Sequence, residues 1–177
     1  IRAVELIAPS FGGVNLEDIR SPECFEIERV LEEKLDIPVF HDDQHGTGIV
    51  VTAALLNALK VVGKDIANVK IVQNGPGAAG TAIIKMLMAA GATDITAVDE
   101  HGILYEGRPA GLKDHKAWLA TVTNPRHLTG GLAEAVKGAD VFIGTSIAGA
   151  LTPEMAATMA PGAVVFAMAN PNPEIMP

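Results

Sequence analysis

The stretch VFHDDQHGTG, residues 39–48, crowds His41, Asp42, Asp43 and His45 behind a short apolar run and ahead of two glycines. A second acidic pair, Glu17 and Asp18, sits in NLEDIRSPECF. Carboxylates that converge repel one another unless a cation lies among them. Hard oxygen ligands of this kind favour magnesium or manganese. Neighbouring side chains on a strand point to opposite faces, so Glu17 and Asp18 can share an ion only where a strand ends. The break at Ser21-Pro22 supplies such an end. Asp42 and Asp43 follow IPVF directly, at the carboxyl end of an expected strand, where open α/β sheets place their ligands. The competing reading makes both pairs solvated helix starts. His41 and His45, at i and i+4, would suit zinc on a helix, but the chain is leaving a strand there.

A second constellation lies in VKIVQNGPGAAG, where Gly75, Gly77 and Gly80 take the spacing G-x-G-x-x-G. Alone the spacing is weak. Here an apolar strand precedes it, a helical pattern follows it, and Asp99 ends the next strand 19 residues after Gly80. That context makes it a dinucleotide fingerprint. Gly75 permits the tight turn, Gly77 lets pyrophosphate approach the backbone, and Gly80 lets helix pack on strand. Pro76 lacks an N–H, but Gly77, Ala78 and Ala79 keep theirs for phosphate at the helix start. Asp99 suits a ribose hydroxyl. An acid there, followed by Glu100, repels a 2′-phosphate and favours NAD over NADP.

These residues need elements to hold them. Strands are expected at AVELIA, GGVNLED, IPVF, VKIVQN, DITAVD, DVFIGTS and AVVFAMAN. Helices are expected over SPECFEIERVLEEKLD, capped by Ser21, and over TGIVVTAALLNALKVVG, ended by Gly63. Further helices fit TAIIKMLMAAG, Lys113–Leu119, LAEAVKG and PEMAATMA, with a turn at His101-Gly102. Apolar strands alternating with helices mark a parallel sheet covered on both faces. The fold class is therefore α/β, a doubly wound parallel sheet of the Rossmann type plus a fragment of a second domain. Residues 1–41 are assigned to a substrate and metal domain, and 42–177 to the dinucleotide-binding domain.

Hydrophobic residues make up 49% of the 177, enough for a sizeable core. The net charge of −8, without a basic run, excludes nucleic acid as a partner. No apolar stretch reaches the roughly 18–20 residues of a membrane span, so no membrane association is expected. The lone Cys24 excludes an intrachain disulfide and fits a reducing cytoplasm. Neither end has the look of a natural terminus, and a longer polypeptide is expected.

With both constellations in place, the chain resembles the bacterial type of malic enzyme along nearly all its length. The matching stretches are GGVNLEDI, SPECFEIE, IPVFHDDQHGTGIV, the glycine loop and AMANPNPEI. The resemblance implies oxidation of L-malate by NAD or NADP and decarboxylation to pyruvate, with magnesium or manganese, in a homodimer. It implies that Glu17, Asp18 and Asp43 are the metal ligands and that Asp42 orients a catalytic lysine. It places Gly75 through Gly80 and Asp99 on the dinucleotide, Ser146 near the nicotinamide, and Asn170 on malate or nicotinamide. The family's general base and acid, a lysine and a tyrosine, lie upstream of NLEDI. No lysine here precedes Lys34, and the sole tyrosine, Tyr105, matches neither. This stretch alone is thus expected to be inactive. Two other readings remain: a different dehydrogenase acting on amino acids or a folate, and a nucleotide-binding module without chemistry.

Overall fold

Two sheets organise the computed structural model, which describes residues 1–177. In the smaller, β1 (Val14–Leu16) pairs in parallel with β2 (Val39–His41). Helices α1 (Arg2–Ile7) and α2 (Glu23–Lys34) accompany it. The larger sheet contains β3 (Lys70–Asn74), β4 (Asp94–Asp99), β5 (Gly102–Ile103), β6 (Val141–Gly144) and β7 (Val164–Ala167). Its strand order is β5-β4-β3-β6-β7, and every pairing is parallel except that of β4 with β5.

Strands buried on both faces explain the near-continuous apolar runs. Ile71, Ile95, Ala97, Val141 and Ile143 face one layer, formed by α3 (Thr47–Val62), α4 (Ala78–Ala89) and α5 (His115–Val122). Their alternates Val72, Val98 and Phe142 face the other, formed by α6 (Leu132–Val136) and α7 (Pro153–Ala156). The expected doubly wound layering is present. From β3 the chain steps to β4 on one side and then returns to β6 on the other. The gap between the carboxyl ends of β3 and β6 is therefore the topological switch point, where such sheets bind ligands.

Several local expectations differ from the structure. AVELIA is helical, not a strand. Leu6 and Ile7 remain exposed, so no sheet face claims them, and Glu5 pairs instead with Lys34 of α2. Ser21 does not cap α2: Pro22 holds the N-cap position, and Arg20 reaches Glu23 instead. The turn at His101-Gly102 is the tip of a hairpin, with Asp99 opposite Gly102, so the edge strand β5 runs antiparallel. The Asp42–Gly46 segment is a π-helical turn continuous with α3, giving a helix of 21 residues, long and apolar enough by length and composition to cross a membrane. Charged and polar residues between apolar ones hid that length. One face, with Val51, Leu55 and Leu59, enters the core against α4, while Ile49, Val50 and Val61 are exposed.

The close packing of α4 on the β3 turn makes a local prediction. A Cβ at Gly80 would run into the Gly75 carbonyl oxygen, whereas one at Gly77 would meet nothing within 4 Å. Gly80→Ala should therefore lower stability by about 1–3 kcal/mol through overpacking. Gly77→Ala should leave the urea unfolding midpoint close to that of the parent. Equal midpoints for the two variants would contradict this packing.

Candidate functional site

At the switch point the loops after β3 and β6 are stitched together by side chains. Gln73 Nε2 donates to Thr145 Oγ1 at 2.9 Å, and Asn74 Nδ2 donates to Ser146 Oγ at 2.7 Å. Thr145 Oγ1 in turn donates to the Gly75 carbonyl at 2.7 Å. Gly75 takes φ +92°, and a Cβ there would lie 2.5 Å from the Thr145 carbonyl oxygen, so only glycine fits this crossing. The buried Glu174 carboxylate accepts from the Ser146 amide, the Ser146 hydroxyl and the Ala169 amide. A cleft of about 490 Å³ results, lined by Gly75, Asp99, Glu100 and Ser146 among others. A second, of about 600 Å³, opens over Pro76 and Gly77 and reaches Lys113, His115 and Lys116. Ala78 and Ala79 form the first turn of α4, beside Gly77. The residues expected around a dinucleotide thus surround one region, except Asn170, which is exposed and makes no side-chain hydrogen bond.

Asp99 is more heavily engaged than a free ribose ligand. Its side chain is 1% exposed, and Arg108 donates to both its oxygens at 2.8 Å. Lys116 Nζ and the His101 amide complete four bonds, which use all its acceptor positions. Burial by itself raises this carboxyl's pKa, but the bonds from Arg108, then Lys116 and the His101 amide, outweigh it and hold it at about 2. Lys116 also reaches Glu100, at 3.1 Å. Two cations therefore offset the two acids, and the repulsion of a 2′-phosphate inferred from Asp99 and Glu100 alone does not hold. The cations lie 9 and 17 residues from Asp99, outside any local pattern.

The two acidic segments also touch, through one backbone amide. The Asp18 amide donates to Asp43 Oδ2 at 2.8 Å, across 25 residues of sequence. Asp18 reaches this position with φ +56°, a left-handed conformation that aspartate tolerates better than most residues. Behind Asp43, the fully buried His41 holds Nε2 3.4 Å from Oδ2, without a hydrogen-bond partner of its own. Gln44 Nε2 contacts His41 Nδ1 at 2.7 Å and Glu28 at 2.9 Å, and His45 contacts Glu28 at 2.6 Å. The two histidines are thus tied to protein groups. Glu28 and Gln44 carry no sequence motif, one being a helical glutamate and the other a turn glutamine.

The Asp43 carboxylate thus faces the Asp18 amide and the His41 ring nitrogen, and a divalent cation there would need the Glu17 and Asp18 carboxylates turned toward it. Asp42 and Glu17 are exposed beside Asp43 and Asp18 in sequence. No three histidine, cysteine, aspartate or glutamate side chains are grouped so that they could hold a metal ion as they stand. Cys24 is buried, and burial above all pushes its thiol pKa up. Tyr105 lines a separate cavity with Thr123 and His127.

The ion pairs at Asp99 make a signed prediction. A carboxyl whose pKa falls on folding adds stability above its unfolded value, near 4, and loses it as pH falls through the folded value of about 2. The difference in unfolding free energy between the parent and Asp99→Asn should include about 2 kcal/mol at pH 7 from this source, and that part should vanish toward pH 2. Urea titrations at pH 7, 4, 3 and 2 measure it. A difference independent of pH would contradict the ion-pair account.

Comparison with known proteins agrees with this geometry. The malic enzyme NAD-binding domain family matches residues 44–175. The bifunctional malic/malolactic enzyme of Bacillus subtilis is 55% identical over 177 residues, covering 100% of this chain and 43% of that protein. The NADP-dependent malic enzyme of Halomonas elongata is 50% identical over 179 residues, covering 100% of this chain and 41% of that protein. The crystal structure of an NAD-dependent malic enzyme from Thermotoga maritima superposes with a TM-score of 0.96 at 50% identity, covering 99% of this chain and 47% of that one. The chain therefore spans less than half the length of these relatives. It belongs to the malic enzyme family, in the part that contains the NAD-binding domain.

Proposed function

We propose that the complete protein carrying this chain oxidises L-malate with NAD or NADP and decarboxylates the product to pyruvate and carbon dioxide. The observation that carries this reading is the contact between the Asp18 amide and the Asp43 carboxylate. It joins two acidic segments next to a turn that packs on α4, the helix of the dinucleotide loop. A dehydrogenase of another substrate class has no need of that acidic junction.

In this reading Glu17, Asp18 and Asp43 hold a magnesium or manganese ion, with the exposed Glu17 free to turn inward. Such an ion would supply Lewis acidity to the oxygens of bound malate. His41, fixed by Gln44, steadies the Asp43 carboxylate. Asp42, exposed on the same turn, orients a lysine contributed from outside these residues, which acts as general base, and a tyrosine from outside acts as general acid. The glycine loop offers the N–H groups of Gly77, Ala78 and Ala79 to the pyrophosphate. Ser146, with its hydroxyl held by Glu174 and Asn74, borders the nicotinamide end. Asn170 contacts malate or the nicotinamide.

At the ribose end, Lys116 must loosen from Asp99 to free an acceptor for a hydroxyl, or stay to meet a 2′-phosphate. Both nucleotides are therefore admissible on charge. Residues 1–41 form part of a substrate and metal domain and residues 42–177 the dinucleotide domain, a division supported by the separate small sheet of β1 and β2. The working unit in this reading is a cytoplasmic homodimer, and the exposed Ile49, Val50 and Val61 on α3 are available to such an interface.

Two outcomes are expected of the full-length protein. Turnover of malate should disappear with a chelator and return with manganese. Asp43→Ala should lower kcat by at least about a thousandfold while the dissociation constant for NAD changes less than about threefold. Chelator-resistant malate oxidation, or a collapse of NAD affinity in Asp43→Ala with metal dependence intact, would refute the assignment.

A further inference from the structure

Pro76, between the first two glycines of the loop, is buried, and its carbonyl needs a partner. The helix that follows does not provide one, because its first backbone bond runs from the Thr81 amide to the Gly77 carbonyl. Thr81 Oγ1 approaches the Pro76 oxygen only to 3.4 Å. His115 Nε2, from the first residue of α5, lies at 2.8 Å. A carbonyl only accepts, so the proton is on Nε2. Nδ1 is then left buried without any partner. The residue before it, Asp114, enters the helix at φ +52°, in the left-handed region that non-glycine residues rarely adopt. A strained entry and an unpartnered ring nitrogen both persist to keep this ring where it is.

The ring is also held from the other side. Phe25, on α2, packs against it with centroids 5.1 Å apart and planes tilted by 50°. The two rings lie at the edge of a cavity of about 630 Å³ between α2, α4 and α5. Three residues further along α2, Glu28 accepts from Gln44 and contacts His45 in the acidic turn. One helix of the first segment therefore touches both the acidic turn and the brace of the dinucleotide loop.

Peptide geometry gives the consequence. The Pro76–Gly77 bond is trans, so the Pro76 carbonyl and the Gly77 N–H point in opposite directions. The Gly77 N–H makes no hydrogen bond within the chain. We propose that His115 is a positioning residue for the dinucleotide loop. By holding the Pro76 carbonyl it aims the Gly77 N–H at the nucleotide phosphates, and Phe25 makes that aim depend on the docking of α2. The proposal rests on the reading of the loop as a dinucleotide site. Nucleotide affinity is then set in part by the docking of the segment that bears the acidic residues, through Phe25 and His115.

The test uses the full-length protein, with NAD binding by calorimetry and steady-state kinetics with malate and manganese. His115→Ala should weaken NAD binding, and raise its KM, by about tenfold, the worth of one hydrogen bond. The kcat and the KM for malate should stay within about twofold. His115→Gln, which keeps a donor at the same reach, should restore most of the affinity. Phe25→Ala should weaken NAD binding in the same direction, and add little in the His115→Ala background. Parent-like NAD affinity in His115→Ala, or equal losses in the Gln and Ala variants, overturns the proposal. Should His115→Ala fail to fold, Phe25→Ala decides, and unchanged NAD affinity there overturns it. Failure of the parent itself to bind NAD or NADP would instead refute the dinucleotide reading.

Discussion

The hydrogen bond from the Asp18 amide to the Asp43 carboxylate is the constraint on which the site depends. It ties the loop after β1 to the turn after β2, and it does so with a group that would otherwise be a free acid. Two parallel strands of three residues each make a weak sheet by themselves. Their register brings the ends of both strands to the same level, Leu16 beside His41, so the acidic residues that follow emerge together. The left-handed turn at Asp18 then aims its amide at Asp43. Behind this pair, His41, Gln44 and Glu28 form a buried polar chain that fixes the turn from below. Such a chain is costly unless its members satisfy one another, and the one loose atom, His41 Nε2, faces the acid.

The dinucleotide half rests on a different device. Strands β3 and β6 are neighbours whose chains part at their carboxyl ends, and Gln73, Asn74, Thr145 and Ser146 bridge the parting with side-chain hydrogen bonds. Gly75 lets one loop cross over the other at van der Waals distance. The result is a cleft with Asp99 and Glu100 in its lining, where the Asp99 carboxylate is compensated by the buried Arg108 behind it and by Lys116. The neighbouring cleft over Pro76 and Gly77 adds Lys113 and Lys116 to these acids, so that the loop's N–H groups are flanked by both signs of charge, an arrangement suited to a ligand with a pyrophosphate and a ribose. Helix α2 links the two halves, with Phe25 against the brace of the loop and Glu28 behind the acids.

Much of this is legible in the sequence, for reasons that are local. Continuous apolar runs such as VKIVQ and VFIG report strands buried on both faces, and the glycine spacing reports the turn that follows one of them. The acidic stretches are legible through their motif. What stays hidden depends on contacts between distant residues. AVELIA has the composition of a strand, but no neighbouring strand is available to it, and it winds into a helix beside Lys34. Asp42 to Gly46 has no periodicity that distinguishes a π-turn from a loop. Asp99 looks like a free acid until Arg108, from the irregular segment beyond the hairpin, and Lys116, from the first turn of α5, are folded onto it. His115 has no motif at all, and only the position of the Pro76 carbonyl gives it meaning.

The account stands or falls on where a divalent cation binds. Crystals of the full-length protein grown with manganese and malate, and measured for anomalous scattering, locate it directly. A single strong peak within about 2.5 Å of oxygens from Glu17, Asp18 and Asp43 is the predicted result. A peak elsewhere, or no peak while the protein still oxidises malate, would contradict the account.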